Sequence, residues 1–205
     1  MFRPVTLLRR VLTLLVLSSA LFWLAGCDEG GSSAAFQSTD ITGADFGKRF
    51  DLVDHDGKRR QLGDFRGKVV VLFFGYTHCP DVCPTTLAEL SQVMKMLGSD
   101  ADRVQVLFVT VDPERDTPAV LSQYVTAFNP RFLGLSGDAA ATRRAAKEFK
   151  VFYEKHKGPA PGEYSVDHSA GTYVIDPEGR LRLFVGYGKA DTGLARDIRT
   201  LLNEK

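Results

Sequence analysis

Two cysteines four positions apart, Cys79 and Cys83, stand in the segment Phe73-Phe74-Gly75-Tyr76-Thr77-His78-Cys79-Pro80-Asp81-Val82-Cys83-Pro84. An apolar run ends just before them and a helical pattern begins at them. Thiols at such a junction meet free backbone N–H groups and the positive end of a helix dipole, which stabilise the thiolate and lower its pKa. The pair is thus suited to metal ligation or to redox chemistry, and the spacing alone leaves both open. Residues at i and i+4 around a first helical turn share one face, about 5–6 Å apart at Cβ, so two sulfurs can converge on one ion. The same geometry permits a plain structural disulfide, although so short a loop would stabilise little.

The elements that must position this pair can be read from periodicity. Lys68 to Phe74 is a continuous, β-branched apolar run, the mark of a strand buried on both faces. Thr85 to Leu97 places Leu87, Leu90, Val93 or Met94, and Leu97 on one helical face, with Gly98 at the stop. Val104 to Val111 is the next buried strand. Thr117 caps a helix opened by Pro118 and carrying Val120, Leu121, Tyr124, Val125 and Phe128; Ala139 to Lys150 is a third helix. Upstream, Phe50 to Val53 and Arg59 to Leu62 flank an Asp56-Gly57 turn as an N-terminal hairpin. Lys155 to Gly162, with two prolines and two glycines, is expected to be a loop. Thr172 to Ile175 and Leu181 to Val185 are strands joined by Asp176-Pro177-Glu178-Gly179, and Leu194, Ile198, Leu201 and Leu202 stripe a closing helix.

The first residues describe export. Arg3, Arg9 and Arg10 precede an apolar stretch from Val11 to Trp23, closed by Leu24-Ala25-Gly26-Cys27. Small residues ahead of a Cys resemble the lipobox of bacterial lipoproteins, which makes residues 1–26 a signal peptide and Cys27 the lipidated residue. An uncleaved anchor is the alternative, its apolar stretch at the short end of the roughly 17–25 residues that span a bilayer. Both readings put the remainder of the chain outside the cytoplasm, and Asp28 resembles the bacterial signal for retention in the inner membrane. Residues 27–45 are small and polar and read as a flexible tether, leaving 46–205 as one domain. The 205-residue chain has a formal net charge of +1, and without its basic leader the remainder is slightly acidic. That excludes the basic excess of a nucleic-acid partner. Two thiols kept in an oxidising compartment point to use.

The order hairpin, βαβ, helices, antiparallel hairpin, helix is that of an α/β thioredoxin-like fold, a central mixed sheet flanked by helices. Within it, Gly75 to Pro84, then Val111-Asp112-Pro113-Glu114-Arg115-Asp116-Thr117, then Asp167-His168-Ser169 with Val174 to Arg180, resemble the three signature blocks of the Sco/SenC copper proteins. The resemblance implies a copper chaperone that assembles the dinuclear copper centre of cytochrome c oxidase, with Cys79, Cys83 and His168 as ligands. Its implied partners are the copper-site subunit of that oxidase and other periplasmic copper carriers. The implied location is the periplasmic face of a bacterial inner membrane, held by lipid. The donor set suits the cargo: soft thiolates favour Cu(I), and an imidazole completes a three-coordinate Cu(I) site or part of a Cu(II) site. Zinc would require a fourth ligand or water, and the sequence offers no good fourth ligand.

Other residues carry weaker signals. Asp167 is a candidate to orient the His168 ring, although adjacent strand residues point apart. His78 reads as an exposed loop residue beside the pair, Asp116 as turn and helix-cap chemistry, and Asp112 as a docking or site-shaping residue. His55 in a hairpin turn and His156 in a Lys-rich loop are expected to be solvated. Two further classes use the same cysteines. A thiol–disulfide oxidoreductase would attack through Cys79, resolve through Cys83 and keep the oxidase cysteines reduced. General reductases of this kind usually have two residues between their cysteines, where this chain has three. A peroxiredoxin-type peroxidase would gain nothing from His168.

Overall fold

The computed structural model describes residues 36–204; Cys27, the expected signal peptide and residues 27–35 of the expected tether lie outside it. The described chain forms strands β1 (Thr39–Asp40), β2 (Asp51–Asp54), β3 (Arg59–Gln61) and β4 (Val69–Gly75), then helix α1 (Val82–Leu97) and strand β5 (Val104–Thr110). Helix α2 (Pro118–Phe128), β6 (Leu133–Ser136), α3 (Ala139–Glu148), β7 (Tyr153–Lys157), β8 (Tyr164–His168), β9 (Thr172–Ile175), β10 (Leu181–Val185) and α4 (Thr192–Asn203) complete it.

The apolar run Val69–Gly75 is buried throughout, and this drives it to the sheet centre, where both faces are covered. It pairs in parallel with β5, Leu72 opposite Leu107, and antiparallel with β9, Phe73 opposite Thr172. The eight-stranded order is β1-β10-β9-β4-β5-β6-β2-β3. The β4-α1-β5 crossover, with an antiparallel β9–β10 pair and a final helix after it, is the thioredoxin-like arrangement expected from the sequence. Phe73, Phe74, Phe108, Phe149 and Ile175 are among the large side chains wholly withdrawn from water.

The helices begin and end as their caps dictate. Thr117 accepts the Val120 N–H with Pro118 in the first turn of α2, and Asp138 accepts the Ala141 N–H of α3 at 2.6 Å. Helix α3 ends at Glu148, and Lys150 adopts a positive φ of 54° that turns the chain out of the helix.

The structure departs from the sequence expectation in four places. Strand β6 is an additional element; it lies between β5 and β2 and joins the N-terminal hairpin to the sheet. Residues 155–157, expected within a loop, belong to β7, and only the tip of the β7–β8 hairpin is irregular. Strand β7 is largely exposed, so it carries no burial alternation to read. Within the stretch 27–45, Thr39–Asp40 pairs with β10, and the Gln37 and Ser38 N–H groups are both held by Asp197. His55 is not solvated: its side chain is 6% exposed and its Nδ1 accepts the Gly134 N–H at 3.1 Å. Among the described residues no helix is long and apolar enough to cross a membrane.

Candidate metal centre

Strand β4 delivers the chain to the site at Gly75, and the next residues form a turn closed by the Cys79 N–H on the Tyr76 carbonyl. Cys83 stands in the first turn of α1 and is fully buried, while Cys79 lies in the loop before the helix and is half-buried. The two are therefore split across the loop–helix junction. Gly75 makes room for Cys83, since a Cβ there would lie 2.6 Å from the Cys83 Sγ.

His168 ends β8 and closes the site from the other side. Its Nε2 is 3.3 Å from the Cys83 Sγ, and its Nδ1 is 3.0 Å from the Ser169 carbonyl. A carbonyl can only accept, so that contact places the hydrogen on Nδ1 and turns the Nε2 lone pair toward the sulfurs. The ring is wedged edge-on against Phe73 and Tyr76, at centroid distances of 6.0 and 5.8 Å. One donor atom from each of Cys79, Cys83 and His168 falls in a group within 4.8 Å of one another, so these three residues could hold one metal ion.

The two thiols are electrostatically unlike. The hydrogen bond from Cys83, together with the Asp81 and Cys83 backbone N–H groups, pulls the Cys79 thiol down to about 4 against the opposing effect of burial. Cys83 is pushed the other way, because its proton is held by the Cys79 thiolate and its sulfur is buried. The Cys83 proton thus has two acceptors, the Cys79 sulfur and the His168 Nε2. A soft monovalent cation meets the same donors with its charge matched by one or two thiolates.

Beyond the triad, the structure sorts the remaining residues. Asp116, wholly buried, does more than end a turn. Its Oδ2 accepts the Thr77 N–H at 3.0 Å and the Thr110 hydroxyl at 2.6 Å, and its Oδ1 accepts the Thr77 hydroxyl at 2.6 Å. It therefore fixes the chain two residues before Cys79, while Thr117 caps the helix. Asp112 is also wholly buried and bonds Arg115 and Tyr164. His78 is half exposed and outside the triad. Asp167 does not orient the ligand ring; it is 70% exposed and pairs with His156 at 3.1 Å, and the Ser169 carbonyl orients His168 instead. A groove of about 350 Å³ lined by Tyr76, Cys79, Pro80, Val82, Val166 and Asp167 leads to the site.

Fold and site together define a thioredoxin-like protein with a two-cysteine, one-histidine ligand set at the end of its central strand. The SCO1/SenC family model matches residues 38–203, and the chain belongs to that family. It is 45% identical to apo Sco1 of Thermus thermophilus, covering 83% of this chain and 99% of that one with a TM-score of 0.73. It is 39% identical to the copper-bound ScoI of Bradyrhizobium japonicum, covering 76% and 99% with a TM-score of 0.71. Among curated proteins it is 43% identical over 152 residues to the mitochondrial SCO2 homolog of Danio rerio. That match covers 73% of this chain and 54% of the relative, so the chain spans little more than half of that protein's length.

Proposed function

We propose that this protein is a copper carrier, binding one copper ion through Cys79, Cys83 and His168 and passing it to the copper-site subunit of cytochrome c oxidase. The observation that carries the proposal is the convergence of three soft or borderline donors within 4.8 Å, in a chain 39% identical to a relative solved with copper bound. Copper is cargo here, so the site must release as well as hold. Cys79 is half-buried and opens on the groove, whereas Cys83 is sealed behind it. Ligand exchange therefore starts at the Cys79 side, where a donor from the partner can approach, and Cys83 lets go last. Attachment by a lipid on Cys27, at the periplasmic face of the inner membrane, keeps the carrier beside a membrane-bound oxidase. The test is transfer from the copper-loaded protein to the isolated soluble copper-site domain of the oxidase subunit. Wild type should transfer its copper, Cys79→Ser should hold too little to transfer, and retention of copper by wild type would sink the delivery role.

A second reading is favoured by one observation, the half-buried Cys79 opening on the groove with Cys83 sealed behind it, an asymmetry reinforced by the depressed Cys79 thiol. That asymmetry suits attack by Cys79 on a partner disulfide and resolution by Cys83, which ends with this chain oxidised and the partner reduced. An internal disulfide removes both sulfur ligands, so copper loading and the Cys79–Cys83 disulfide exclude one another.

A further inference from the structure

The His168 side of the site is carried by an element with little hold on the rest of the domain. The β7–β8 hairpin forms a separate two-stranded sheet, and among its strand residues only Val166 is buried. Besides the packing of Val166, Tyr153 and Tyr164 against the core, its polar ties converge on the loop after β5, and one carboxylate there is wholly buried. Asp112, in the loop after β5 and 0% exposed, accepts the Tyr164 hydroxyl at 2.8 Å, lies 3.4 Å from the Lys155 Nζ and pairs with the Arg115 Nε. Tyr164 belongs to β8 and Lys155 to β7, so Asp112 reaches both strands; on Lys155 it shares the grip with Glu114, which is closer at 2.8 Å. Arg115 adds a second grip: its Nη1 donates to the Tyr164 carbonyl at 2.9 Å, and its guanidinium lies 3.6 Å from the centre of the Tyr164 ring. The same guanidinium is 5.7 Å from the centre of Tyr76, whose ring edges His168.

We propose that Asp112, acting through Arg115 and Tyr164, is the positioning residue for His168, setting the imidazole against the two cysteines by pinning the β7–β8 hairpin to the loop after β5. This rests on the reading of the triad as a copper site and adds to it a division of labour. Asp112 and Asp116 are four residues apart on one loop; Asp116 holds the cysteine side through Thr77, and Asp112 holds the histidine side through the hairpin. A buried carboxylate must keep its partners, because an unpaired one is costly, so it fixes their positions more firmly than exposed contacts do. Residues that orient a metal ligand typically matter by 10–100-fold in affinity.

The experiment has two arms and uses Asp112→Asn and the milder Tyr164→Phe, which deletes only the hydroxyl on the carboxylate. In the metal-free protein, hydrogen exchange should quicken at least about tenfold for β7–β8 amides in Asp112→Asn, relative to β4 and β5, with a smaller effect in Tyr164→Phe. With copper added as Cu(I) under chelator competition and as Cu(II), Asp112→Asn should bind about tenfold more weakly and shift the Cu(II) charge-transfer bands. Combined with His168→Ala it should cause no further loss, since a residue that acts through the imidazole has nothing left to act on. Unchanged hairpin exchange in both variants would overturn the proposal. So would a copper loss that persists undiminished in the His168→Ala background, which would mark a general effect on the fold. Wild type that fails to bind copper would instead defeat the reading of the triad, and the exchange arm would still decide whether Asp112 pins the hairpin.

Discussion

Replacing Gly75 by alanine should damage copper binding directly, because the added methyl meets a ligand atom. The strand backbone at Gly75 has no positive φ, so conformation does not demand glycine there; space does. A Cβ would lie 2.6 Å from the Cys83 Sγ, 2.9 Å from a Phe108 ring carbon and 3.1 Å from a Phe73 ring carbon. Ordinary contacts between such atoms are about 3.5–4.0 Å, so the sulfur must retreat by roughly 1 Å. Cys83, Phe73 and Phe108 are each 0% exposed and have no open space to take up. Overpacking of this kind costs about 1–3 kcal/mol of stability. The effect on the site is sharper, because ligand distances in metal centres hold to within about 0.2 Å. Phe73 also edges the His168 ring, so the strain reaches both sides of the triad. Gly75→Ala should therefore weaken copper binding about 10–100-fold, or about 1.4–2.8 kcal/mol. Chelator competition with the reduced protein and a urea titration read the two effects separately. A variant that binds copper as tightly as wild type would refute the claim that this glycine exists to seat Cys83.

Three further outcomes rest on named contacts. In the reduced, metal-free protein the thiolate absorbance of Cys79 should titrate with a midpoint near 4, and iodoacetamide at about pH 6 should label Cys79 and spare Cys83; a midpoint near the ordinary value of about 8.5 would count against the site electrostatics. Because folding depresses this thiol, it stabilises the domain fully above its unfolded pKa of about 8.5 and loses that contribution as pH falls through about 4. His55→Ala leaves the Gly134 N–H without its acceptor and should cost about 1–3 kcal/mol in denaturant unfolding while copper affinity is unchanged; altered copper affinity would mean that the sheet edge and the site are coupled. Asp116→Ala strips acceptors from Thr77 and Thr110 and should cost about 3 kcal/mol, with faster exchange of the amides around Thr77; unaltered exchange there would show that the carboxylate does not hold the cysteine loop.

The sheet centre and the cysteine loop are legible in the sequence because they rest on local, strongly patterned residues. Val69–Phe74 is an unbroken buried run, and the cysteines mark its end. Thr117-Pro118 and the Asp176 to Gly179 turn announce their own geometry. His168 is legible through its motif and through its place just ahead of Thr172–Ile175, the strand that pairs with β4; that it also ends a separate strand, β8, is not. Strand β6 is hidden because four residues containing Gly134 carry too little periodicity. Strand β7 is hidden because a largely exposed strand has no reason to alternate. Asp116 reads as a cap because an Asp before Thr-Pro fits a helix start equally well, and its bond to Thr77 spans 39 positions. The burial of His55 depends on β6 and cannot be read without it.

The central claim is that Cys79, Cys83 and His168 form one copper site, and the most direct measurement is copper binding by the reduced protein in competition with a calibrated Cu(I) chelator. It should be made on wild type, Cys79→Ser, Cys83→Ser and His168→Ala, with Cu(II) spectra recorded beside it. Wild type should bind one tight equivalent, and every substitution should weaken it. Binding no tighter than background, or binding indifferent to His168, would contradict the claim and leave the pair as a dithiol.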